Sequence, residues 1–106
     1  MKPITIEEMA DRLIVAEFLK IAQLAIDLVS AEHAARQAKF RYIDKIQEFE
    51  KKYGAVAGRL SMHKSEHAAA RAYTDDAYAA YLDAKSQAHN IKRRLDTAVR
   101  RHQRGF

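Results

Sequence analysis

Apolar residues recur along this chain at alternating steps of four and three, the spacing that lines one face of a helix packed on another. A first series runs through Ile14, Phe18, Ile21, Ala25, Leu28, Ala35, Tyr42, Ile46, Phe49 and Tyr53, with Glu32 and Lys39 at two of its positions. A second continues through Val56, Leu60, Ala70, Ala77, Tyr81, Ala84, Ala88, Ile91, Leu95 and Ala98, with His63, His67 and Thr74 as polar members. The pattern predicts long helices carrying a coiled-coil seam. On the second series that seam is mostly alanine, which lets two helix axes approach closely.

The ends of the helices are also written in the chain. Thr5 and Glu8 form a T-x-x-E capping box flanked by Ile4 and Met9 as a hydrophobic staple, so helix A begins at about residue 6. No glycine or proline follows until Gly54, where Lys51 and Lys52 precede the glycine in the usual order for a helix C-terminus. A turn is predicted over about 54–61, with Ser61 as the cap of helix B, which runs over about 62–104 to a stop at Gly105. Thr74, Asp75 and Asp76 resemble a further helix start, so a bend near 74 is the alternative to a straight helix B. The register also admits one continuous helix, but Gly54 and Gly58 would each cost about 1 kcal/mol in a helix interior. The expected fold is all-α: a single domain over 1–106, built as a long antiparallel helical hairpin.

Between Leu13 and Val29 apolar residues cover nearly the whole helix circumference, leaving a narrow polar stripe of Glu17, Lys20, Gln23, Asp27 and Ser30. One partner helix cannot bury so much surface. Leu13, Phe18, Ile21, Leu24 and Leu28 are therefore expected to meet a further partner. A homodimer of hairpins forming a four-helix bundle is the economical assembly.

Composition narrows the chemistry. The chain has 106 residues with 20 alanines, three glycines, one proline and no cysteine or tryptophan. Disulfide frameworks, thiolate metal sites and thiol nucleophiles are excluded. The opening MKPITIEEMADR does not read as a signal peptide, and the charges within residues 13–29 make that stretch unsuited to spanning a bilayer. A protein of the cytoplasm, without a membrane partner, is expected.

His63 and His67 with Glu66 spell H-x-x-E-H, a spacing in which two histidines one helical turn apart can bind zinc. The zinc peptidases that use it need a further carboxylate ligand and a cleft over the peptide, and a two-helix hairpin supplies no such cleft. The two histidines are read as seam residues and only as weak metal candidates; no metal or cofactor is expected. His33, His89 and His102 are scattered, and no nucleophile-base-acid set or phosphate-binding glycine loop occurs. Tyr73, Tyr78 and Tyr81 are read as packing residues. An enzyme is not expected.

Charge carries the functional signal. Residues 1–88 hold 13 Lys plus Arg against 13 Asp plus Glu, so the whole net charge of +5 sits in residues 89–106. There Lys92, Arg93, Arg94, Arg100, Arg101 and Arg104 face only Asp96, and the five arginines fall within an arc of about 120° on the side away from Ile91, Leu95 and Ala98. Arginines so grouped suit phosphates or an acidic protein surface, which they pair with bidentately. The expected function is that of a small helical regulator or inhibitor acting by steric occlusion on a nucleic acid or a nucleic-acid-handling protein, by class-level analogy with the inhibitors of phages and mobile elements, anti-CRISPR proteins among them. The alternative is a structural coiled-coil scaffold, chaperone or assembly adaptor that holds a partner helix on residues 13–29.

Overall fold

The computed structural model describes residues 3–55 and 67–104. Helix α1 spans Ile6–Tyr53 and helix α2 spans Ala68–Arg104. The capping box sets the start of α1: the Thr5 hydroxyl accepts a hydrogen bond from the Glu8 N–H at 3.1 Å, and the Thr5 carbonyl accepts one from the Met9 N–H at 3.0 Å. Glu7 and Glu8 in the first turn and Lys51 and Lys52 in the last complement the helix dipole at both ends. α1 stops at Gly54, whose φ of 96° lies in the left-handed region that favours glycine. Its N–H donates to the Glu50 carbonyl at 2.8 Å, satisfying one of the orphan carbonyls of the last turn. The rest of the expected turn and the Ser61 cap fall between residues 56 and 66, outside the described residues.

α2 runs through Thr74 without a break in the helix. The Thr74 hydroxyl donates to the Ala70 carbonyl at 2.9 Å. A buried threonine satisfied by the carbonyl one turn back has no need to cap a new helix.

The two helices pack antiparallel. Phe18 meets His102 with ring centroids 4.5 Å apart, Tyr42 meets Tyr78 at 5.0 Å, and Phe49 meets Tyr73 at 5.6 Å, so one residue number rises as the other falls. The molecule is a rod of 74 × 25 × 16 Å. The 48 residues of α1, at about 1.5 Å each, account for its long dimension.

On α2 the seam is the predicted one: His67, Ala70, Thr74, Ala77, Tyr81, Ala84, Ala88, Ile91, Leu95 and Ala98 are all buried or half-buried. On α1 the predicted row is covered at Ile21, Leu28, Ala35, Tyr42, Ile46 and Phe49, but toward the N-terminus its alternate members are replaced by their neighbours. There the covered row is Glu17, Ile21, Leu24, Leu28, Ala31, Ala35 and Ala38. Ile14, Phe18, Ala25, Glu32 and Lys39, expected in the seam, are exposed, as is Tyr53. The reason lies in the alanine face of α2. Close approach of two helices requires small side chains on both, and Ala31, Ala35 and Ala38 supply them, while Glu32 and Lys39 escape the desolvation that a seam position would impose. The two phases join where the row steps four, four and three from Ala38 through Tyr42 and Ile46 to Phe49, an 11-residue interval that relaxes a left-handed supercoil.

Candidate anion-binding groove and free apolar face

Near the end of the rod that holds the start of α1 and the end of α2, the helices leave an open groove of about 460 Å³ between them. Its lining is Lys20 and Leu24 from α1 and Asn90, Arg93, Arg94, Thr97, Ala98 and Arg101 from α2. Leu24 is half-buried and Ala98 buried, and both belong to the interhelical seam. Asn90, Arg94, Thr97 and Arg101 follow the same four-three-four spacing one step round the helix, so they form a polar row beside that seam. Arg94 and Arg101 are two helical turns apart, about 10.5 Å.

No aspartate or glutamate lines the groove. Among the described residues the salt bridges are Lys45–Glu48 at 3.3 Å and Lys52–Glu48 at 3.7 Å, both toward the other end of the rod, so Lys20, Arg93, Arg94 and Arg101 have no acidic partner. Thr97 is engaged, its hydroxyl donating to the Arg93 carbonyl at 2.9 Å. Four cations without an ion-pair partner along one trench could receive an anion, and the guanidinium groups can grip phosphate or carboxylate with two parallel hydrogen bonds.

The structure divides the six predicted cations. Arg93, Arg94 and Arg101 line the groove, whereas Lys92, Arg100 and Arg104 are exposed on α2 outside it. The arginine arc thus reaches round to the edge of the seam rather than opposing it. Lys20 was not among the predicted residues. The signal for it is the hairpin register, because an antiparallel pairing that sets Phe18 on His102 also sets Lys20 beside Arg101.

A second feature lies on another side of α1. Val15, Leu19, Ala22, Ile26 and Val29 repeat at four and three residues and are all exposed. The row continues through His33, Arg36, Phe40 and Ile43, again exposed throughout. α1 therefore carries two heptad rows, and α2 covers only one. Of the residues expected to meet a further partner, Ile21, Leu24 and Leu28 are half-buried within the hairpin, while Leu13 and Phe18 are exposed at 64% and 53%.

His67 is 1% exposed at the head of the α2 seam, and His63 lies outside the described residues. Among the described residues no group of three or more His, Cys, Asp or Glu is arranged to hold a metal ion. Tyr78 and Tyr81 pack on Tyr42 of α1, and burial followed by the neighbouring Tyr78 and Asp75 raises the Tyr42 pKa. Tyr73 packs on Phe49 and Tyr53, with the Lys45 and Lys52 ammonium groups over its ring at 5.5 and 5.7 Å. His102 packs on Phe18 with the rings tilted by 57° and has a buried Nδ1 with no hydrogen-bond partner among the described residues. No helix among the described residues is long and apolar enough to cross a membrane. Comparison with family models, curated proteins and solved structures found no match to this chain.

Proposed function

We propose that this protein is a non-enzymatic helical binding protein that takes a polyanion, a nucleic-acid strand above all, into the groove between α1 and α2. As a regulator or inhibitor of a nucleic-acid-handling assembly in the cytoplasm, it would act by occupying the surface that its partner needs. The observation that carries this reading is the set of Lys20, Arg93, Arg94 and Arg101 around one open groove with no acid in its lining. An acidic segment of a protein could satisfy the same groups, but grouped arginines suit contacts to phosphates, which position a strand without reading its sequence. Two hairpins associated through α1 form the unit of this reading, because one hairpin leaves a heptad row of α1 uncovered on the side away from α2.

Fluorescence anisotropy of labelled single- and double-stranded oligonucleotides across a salt series tests it. Affinity should fall with salt at a log–log slope of about three to four, one counterion for each engaged cation. The paired reversal Arg94→Glu and Arg101→Glu should weaken binding by about tenfold or more at unchanged helicity. Equal affinity for the parent and the double variant would overturn the groove as the binding site. The second reading, a scaffold, chaperone or adaptor that holds a partner helix, is favoured by the free row of α1, and its determining residues would be Leu19 and Ile26 rather than the half-buried Leu24 and Leu28.

A further inference from the structure

We infer that the exposed heptad row of α1 is the interface with a second copy of this chain, and that the two α1 helices cross it antiparallel with Ile26 of one copy facing Val29 of the other. The inference rests on the proposed pairing of hairpins and specifies its face and direction.

Three observations select this occupant. The first is extent: Val15, Phe18, Leu19, Ile26, Val29 and Phe40 are each more than half exposed. At on the order of 100 Å² apiece, two copies together would bury roughly 1,200 Å², within the range of stable interfaces. The second is direction. In a parallel pair each residue of the row meets its own copy, which sets Arg36 against Arg36 and His33 against His33 in the core. Reversing one helix removes both clashes: Arg36 then lies against Leu19, His33 against Ala22, and Phe40 against Val15, so each bulky or polar member meets a smaller or apolar one.

The third is the flanking charge. In this antiparallel register Lys39 falls beside Phe18 of the other copy, where an ammonium can rest on a ring face, and Glu32 falls beside Ala25. Sliding the pair by one heptad instead brings Glu32 against Glu32. Arg36 can keep its guanidinium at the edge of the core by lying along Leu19, as long cationic side chains do. Both basic grooves stay on the outside of this assembly, because Lys20 lies off the exposed row on α1.

Sedimentation equilibrium of the full chain at tens of micromolar should give twice the 12.1 kDa chain mass. Ile26→Asp and, separately, Val29→Asp should each reduce it to the monomer mass with helix content by circular dichroism retained. Since the chain has no cysteine, direction can be read by cross-linking. Mixed Val15→Cys and Phe40→Cys chains should form a disulfide between them, and Val15→Cys alone should not cross-link to itself. A parent protein that is monomeric would overturn the pairing of hairpins and this interface together. A dimer that survives both aspartate substitutions would leave the pairing standing and overturn the face, and a Val15→Cys homodimer would overturn the direction. Nucleic-acid binding is read by none of these measurements, so the groove is judged separately.

Discussion

Glu48 shows how a single side chain ties the two helices. It sits between Lys45 and Lys52 on α1, and Lys52 donates to the Tyr73 hydroxyl of α2 at 3.4 Å. Hydrogen bonding from Tyr73, then Lys45, holds the Glu48 carboxyl below the usual carboxylate range, while Tyr73 and Glu48 push the Lys52 pKa up. A group whose folded-state pKa is lowered contributes stability above its unfolded value, and that contribution disappears as pH falls through the folded value. Glu48→Gln should therefore cause a small lowering of the thermal midpoint at about pH 7 and a smaller one at about pH 3, because the contribution of the carboxylate is lost as pH falls. Thermal melts by circular dichroism at the two pH values check this. None of it was legible in the sequence beyond the i,i+4 pair of Glu48 and Lys52, because Tyr73 reaches them only through the fold.

At the scale of the element, period was easier to read than phase. The T-x-x-E box and Gly54 locate the ends of α1 because each acts through neighbouring backbone groups. The heptad spacing of α2 likewise gave its buried row, since its polar and apolar faces are distinct. α1 is apolar on most sides between Leu13 and Val29, so several rows at the same spacing compete, and the choice between Phe18 and Glu17, or Lys39 and Ala38, is decided by the shape of α2 rather than by hydrophobicity. The close approach that decides it can be measured. Ala98, 5% exposed against α1, should not accept a larger side chain: Ala98→Leu is expected to cost about 1–3 kcal/mol in urea unfolding. Ala34→Leu, exposed and on neither row of α1, should cost far less.

The whole molecule has little interior. Among the described residues only Ala38, Ala70 and Ala98 are buried apolar residues, joined by His67 and Thr74. Three alanines are a small core for a rod 74 Å long, and side chains such as Leu19 at 66% and Val29 at 67% exposed remain in water. The proposed association would add stability, so the thermal midpoint should rise with concentration between about 1 and 100 μM, whereas an isolated hairpin would melt at one temperature throughout. The arginine cluster was visible in the charge distribution of the chain, but the groove was not, because it needs Lys20 from the far end of the sequence.

The antiparallel order of contacts also gives the rod a direction in time. Phe49 and Tyr73 are separated by a short piece of chain, Phe18 and His102 by most of it. Closing the short loop loses less entropy, so the hairpin should zip from the aromatic cluster outward and fray from the opposite end. The groove stands at that fraying end, and an anion bridging Lys20 to Arg101 would fasten the two helices where they part most readily.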